Sequence, residues 1–142
     1  MIVYRMHRMG SDAFDTTGAF LYSGRWHLAG IRVVYAAEHV SLAALETLIH
    51  TGGKAIPNKA ITEVQIPDDI AIESSEWMEI GRSQAFGCDW VRSGRSAVLR
   101  VPSKAVHQME SNFLFNPAHS EFGRIHAGRT REFTFDPRFF GL

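Results

Sequence analysis

The sequence predicts a compact α+β domain, on three observations. Strand-like and helix-like stretches do not alternate in a regular βαβ rhythm, which argues against a doubly wound parallel sheet. Neither GxGxxG nor GxxxxGK[ST] occurs, so neither a Rossmann nor a P-loop nucleotide site is supported. The chain has 142 residues, 45% hydrophobic and 21% charged. That length and composition suit one globular unit with its own core, needing neither disulfide nor structural metal. We therefore expect a single domain, 1–142, without repeat, low-complexity tract or linker.

The elements are expected in this order. Residues Ile2 to Met6 have strand composition and run into a Gly10-Ser11-Asp12 loop, so Arg5 projects from a strand. From Gly10 to Gly30 the chain is rich in Gly, Ser, Asp and Thr and reads as a long surface excursion of the kind that is commonly functional. Arg32 to Ala37, with Val33, Val34 and Tyr35, reads as a short buried strand. Ser41 is then the expected N-cap of a helix with Leu42, Leu45, Leu48 and Ile49 on its apolar side, closing near Gly52-Gly53. Strands are expected over Ala60 to Ile66 and Ile70 to Glu73. A helix is expected over Ser83 to Ser93, with Phe86 and Trp90 inward and Gly87 against it. Ala97 to Val101 is a strand ending at Pro102-Ser103, and Arg131 to Phe135 the last one. Glu110, Asn112, Asn116 and His119 interleave with Phe113, Leu114 and Phe115, setting polar side chains beside a rigid apolar run; the bland alternative is a hydrogen-bonded loop that holds the site from behind.

Lys plus Arg and Asp plus Glu each total 15, for zero formal charge. Nothing general favours nucleic-acid binding, and any anion site must be local. One cysteine, Cys88, excludes an internal disulfide and fits a reducing compartment. No secretory leader and no membrane span are visible, so the expected location is the cytoplasm. The seven histidines show neither H-x-x-x-H nor H-E-x-x-H, so no metal is expected.

Glu46 lies four residues after Leu42 and three before Ile49, on or beside the helix's apolar face. A carboxylate there must find a partner, shift its pKa or line a cleft; the bland alternative is a flank Glu reaching solvent. Arg25, between Gly24 and Trp26, suits the anchoring of an anion, or it simply packs on Trp26. Tyr35 is either a cleft residue or a core ring with a satisfied hydroxyl. Ser103, at a strand end, either faces a ligand or turns the chain. No G-x-S-x-G surrounds it, which argues against a hydrolase nucleophile.

Taken together, Tyr4-Arg5, Gly24-Arg25-Trp26-His27, Val33-Val34-Tyr35-Ala36-Ala37, Leu45-Glu46 with His50, Val101-Pro102-Ser103 and Asn112 to His119 resemble the RES domain family over nearly the whole chain. The family is one of bacterial toxins of type II toxin–antitoxin pairs. The resemblance implies a mixed-sheet fold similar to ADP-ribosyltransferase toxins and NAD as substrate. It implies Arg25, Tyr35, Glu46 and Ser103 as catalytic residues, with Arg5, Trp26 and Asn116 in substrate binding. It also implies a cognate Xre-like antitoxin and allows for a homodimer within the toxin–antitoxin complex.

The residue types suit that chemistry. Cleaving the bond between nicotinamide and ribose C1′ passes through an oxocarbenium-like state, which a nearby carboxylate stabilises. An Arg fork suits a pyrophosphate, and Tyr and Ser suit ribose or amide groups. Hydrolysis, phosphorolysis and ADP-ribose transfer to a protein remain open at this level. So does a non-catalytic binding module in which Glu46 is merely a salt-bridged helix residue.

Overall fold

A computed structural model describes residues 1–141 of the chain. Its elements are β1 (Ile2–Arg8), α1 (Thr17–Leu21), β2 (Val34–Ala37), α2 (Val40–His50), β3 (Lys59–Gln65), β4 (Ile72–Ser74), α3 (Ile80–Ser93), β5 (Val98–Pro102), β6 (Ser111–Phe115) and β7 (His126–Phe133). The strands form one seven-stranded sheet in the order β4-β5-β6-β2-β1-β3-β7. Only the β4–β5 pair is parallel; the others are antiparallel. The fold is therefore α+β, as the irregular order of strand and helix signals predicts.

Antiparallel partners share a face, so the register sorts the core. Val3 and Val64 on one side of the sheet, and Val34, Phe113, Phe115 and Val98 across its middle, make one cluster, covered by the loop residues Phe14, Phe122 and Ile125. On the other face, Leu99, Val101 and Leu114 meet Trp90 of α3 and the side chains of Trp26 and Val33. Next to them Ala37 and Ile61 meet Leu42 and Ala43 of α2. Both helices longer than two turns thus lie on one face, and loops seal the other.

The sheet is unevenly knit. β1 pairs with β3 over seven residues, Ile2↔Gln65 through Arg8↔Lys59, but with β2 at one position only, Tyr4↔Ala37. The two strands diverge from there. Arg5 spans the opening, its Nη1 donating to the Tyr35 carbonyl at 3.1 Å and its Nε to the Ala13 carbonyl at 3.0 Å. The first bond satisfies a strand oxygen that a continuous ladder would otherwise serve, and the second ties the loop at Ala13 to the gap.

Several expectations are corrected. Residues 111–115 are not a loop but β6, a central strand between β5 and β2. Its apolar run is only Phe113-Leu114-Phe115, all three buried. The last strand begins at His126, well before Arg131, and ends at Phe133. The excursion from Gly10 to Gly30 contains α1. The cap of α2 is His39, not Ser41. Its buried residues are Leu42, Ala43 and Ala44, while Leu45 is 37% and Ile49 63% exposed. The helix approaches the sheet through its alanines, and two of the four large apolar residues expected inward face solvent.

Gly87 is the opposite case. A Cβ built there would sit 1.7 Å from the Trp26 carbonyl oxygen. The glycine costs helix propensity, on the order of 1 kcal/mol, but nothing larger lets α3 lie against residue 26.

Candidate functional site

The site is built outward from α3. One side of this helix grips the segment 24–28 by its backbone. Ser83 Oγ donates to the Arg25 carbonyl, Gln84 Nε2 donates to the Gly24 carbonyl at 3.0 Å, and Leu28 N–H points at Cys88 Sγ at 3.3 Å. Gly87 closes the contact at Trp26. Positions 83, 84, 87 and 88 recur at helical spacing, so one helical face fixes a segment that has almost no regular structure of its own.

With its main chain fixed, the segment presents Arg25, Trp26 and His27. Arg25 Nη2 donates to the Met78 carbonyl at 2.6 Å, and its guanidinium lies 5.6 Å from the Trp77 ring centroid. Trp26 is buried, packs edge-on against Phe86 at 6.2 Å, and donates its backbone N–H to the Tyr35 hydroxyl at 3.2 Å. His27, also buried, places Nδ1 2.7 Å from the same hydroxyl. A side chain at Gly24 would strike the His27 ring at 2.8 Å and the Tyr35 hydroxyl at 3.0 Å, so this glycine is part of the arrangement.

Glu46 comes from the half-buried flank of α2. Ser103 arrives from the end of β5 and donates Oγ to Glu46 Oε1 at 3.0 Å. The same hydroxyl accepts the Ala105 N–H and caps the 3₁₀ turn Lys104–Val106. That loop packs on Leu42 and Ala43. It is closed by the Ser103 N–H to the Glu110 carbonyl and the Gln108 N–H to the Ser103 carbonyl. His107 and Gln108 hold left-handed φ of 56° and 63° within it, a conformation that residues other than glycine adopt at some cost. His39 to Glu110 at 2.9 Å, and the Ser111 N–H to Glu38 at 2.7 Å, tie the loop to the start of α2.

The electrostatics follow from this packing. Burial, opposed by the hydrogen bond from the Trp26 N–H, pushes the Tyr35 hydroxyl well above its ordinary pKa. Tyr35 is therefore a neutral phenol at any physiological pH. Burial pulls the Arg5 guanidinium down to about 10, with Asp15 opposing, which leaves it charged at neutral pH.

The expected residues fall into two sets. Ser103 and Glu46 are in direct contact, and Arg25 and Tyr35 flank Trp26, all on the helix-covered face. Arg5 alternates with Tyr4 and so starts from the opposite face, where its bonds go to main-chain oxygens. Asn116 is fully buried and spends its amide on the Val91 carbonyl and the Ala118 N–H, tying the end of β6 to α3. Trp26 likewise packs against α3 from within the core. His27 was given no role by sequence reasoning, which had only its place beside Arg25 and Trp26 to go on.

Among the described residues no group of three or more His, Cys, Asp or Glu is placed to hold a metal ion. Among the same described residues no helix is long and apolar enough to cross a membrane.

An anchored cation, a buried phenol and a carboxylate steadied by a serine thus stand out on the helix-covered side of an α+β sheet. The family model for the RES domain matches residues 2–136, and the chain belongs to that family. It is 35% identical over 142 residues to the Prs ADP-ribosylating toxin of Sphingobium sp. (strain YBL2), covering 90% of this chain and 87% of that protein. It is 34% identical to the Toxin Res of Photorhabdus laumondii, covering 97% of this chain and 96% of that one. In structure it is similar to the crystal structure of the M. tuberculosis MbcT-MbcA toxin–antitoxin complex, with a TM-score of 0.76 over 99% of this chain and 86% of that chain at 14% identity. That likeness shows the shared fold.

Proposed function

We propose that this chain is the toxin of a type II toxin–antitoxin pair and that it cleaves the nicotinamide–ribose bond of NAD, arresting growth by depleting it. The observation that carries this is the Glu46–Ser103 contact, on the same helix-covered side of the sheet as Tyr35, with Arg25 anchored on the Met78 carbonyl. Matches that cover 87% and 96% of relatives named as toxins support the class.

In this reading Ser103 holds one oxygen of Glu46, and the other faces the positive charge that develops at ribose C1′ as nicotinamide leaves. The neutral Tyr35 orients the sugar or the carboxamide. Arg25 contacts the pyrophosphate with the donors that Met78 does not use. The acceptor is water or phosphate, and no step requires a metal. Arg5 holds the strand gap beside the site, and Trp26 and Asn116 support it from behind. The partner is an Xre-like antitoxin, and the setting is the cytoplasm.

Nicotinamide release from NAD by the purified chain tests the reading. Absence of release, or undiminished release by Glu46→Gln, overturns it. Transfer of ADP-ribose to a protein is the second reading, favoured by the printed name of the Sphingobium relative. Mass spectrometry of the products separates free ADP-ribose, its phosphorylated form and modified protein.

A further inference from the structure

We infer that His27 is a positioning residue that fixes the direction of the Tyr35 hydroxyl proton, so that Tyr35 meets the substrate only as a hydrogen-bond acceptor. This rests on the NAD-cleaving reading for its kinetic consequence, but not for its structural core.

The argument is one of hydrogen-bond capacity. His27 Nε2 lies 2.8 Å from the Ala19 carbonyl and 3.0 Å from the Tyr22 carbonyl. Carbonyl oxygens only accept, so Nε2 carries the proton. In the neutral imidazole Nδ1 is then bare and can only accept. Its partner at 2.7 Å is the Tyr35 hydroxyl, so the phenol proton points at His27. The Trp26 N–H takes one lone pair of the phenol oxygen. What remains is a second lone pair and no proton to give.

Tyr35 in this state is neither a general acid nor a donor to the leaving group. It recognises a donor on the substrate, a ribose hydroxyl or the carboxamide N–H. The alternative tautomer would let the phenol rotate and accept from Nδ1, but it would leave a bare Nε2 facing two carbonyl oxygens with no proton between them. That mismatch in a buried site is costly. Gly24 admits this ring and no substituent, which keeps His27 in one position.

Two substitutions divide the two ends of the ring. His27→Asn keeps an acceptor oxygen near the Nδ1 position and gives up the carbonyls of residues 19 and 22. His27→Gln can reach those carbonyls with its amide N–H and leaves the Tyr35 proton without its acceptor. Steady-state NAD cleavage should fall roughly five- to 100-fold in kcat/KM for His27→Gln, the range expected when one buried donor is stranded. His27→Asn should keep several-fold more of that activity than His27→Gln, even where its Tm is the lower of the two.

Nitrogen-15 spectra of the wild type at pH 7.5 provide a readout independent of turnover. They should show one histidine as the Nε2–H tautomer with its Nδ1 shift altered by Tyr35→Phe. An Nδ1–H tautomer overturns the inference. So do equal losses in the two variants that merely track Tm, or a His27→Gln enzyme with wild-type kcat/KM. Should the wild type leave NAD intact, the NAD reading fails while the spectra still decide the role of His27.

Discussion

Helices α2 and α3 cover the same face of the sheet and hold it in different ways. α3 buries Ser83, Gly87, Cys88 and Trp90 and meets residues 24–28 through side-chain bonds to their main chain and a contact with no room for a methyl group. α2 buries one leucine and two alanines and carries Glu46 on its flank, steadied by one hydroxyl from a loop that is itself clipped to the start of the helix. The difference separates tasks. The Arg25–His27 wall is set by the main chain and tolerates little change, whereas the carboxylate is set by side chains and can be altered without disturbing the fold.

The largest expected effect sharpens that division. Glu46→Gln keeps the shape and removes the charge, so NAD cleavage should fall about 10²- to 10³-fold, as when one preorganised electrostatic group is lost, while Tm stays within a few degrees of wild type. A comparable loss of Tm would break the comparison. Gly87→Ala probes the other wall. With its Cβ driven onto the Trp26 carbonyl, it should lose about 3 kcal/mol of stability, the upper end for overpacking, read as a lowered midpoint in urea. An unchanged midpoint would show that α3 can shift and is not the fixed wall.

Ser103→Ala is intermediate. Losing one hydroxyl to a charged group should raise the barrier by roughly 1.5 kcal/mol, close to tenfold in kcat/KM, with nicotinamide release as the measurement. The smallest effect concerns the opposite face, where His7 lies buried between Ser11 and Thr62. Burial, and next the charge of Arg5, lowers its pKa below the ordinary 6.5. The folded state then binds fewer protons than the unfolded state, so stability is complete above pH 6.5 and is lost as pH falls toward the folded-state value. In His7→Asn, thermal melts between pH 7.5 and pH 5 should show a shallower decline than in wild type.

Much of the sheet was legible because its strands end at Gly, Pro or Asp and carry β-branched residues. β6 was not. A central strand with three successive buried residues shows no alternation, and Asn112 within it and Asn116 just after it read as loop residues, although the Asn116 amide is tied to the Val91 carbonyl. The inward face of α2 is hidden from the sequence because leucines outweigh alanines in hydrophobicity, while close approach to a sheet favours the smaller residue. Glu46 and Ser103 could each be picked out by position, but their contact joins residues 57 apart and no local pattern encodes it. His27 left only a faint trace, a glycine three residues earlier that its ring requires.

The single β1–β2 pairing at Tyr4 and Ala37 makes the sheet mechanically two. β4, β5, β6 and β2 form one plank and β1, β3 and β7 another, joined at a point, with the Arg5 guanidinium as a peg across the gap. Across that joint one residue pair carries the ladder, while the shared core and α2 span it. Amide exchange should therefore be slow inside each plank and fastest along the seam, and a molecule that fills the seam would stiffen the domain from its middle outward.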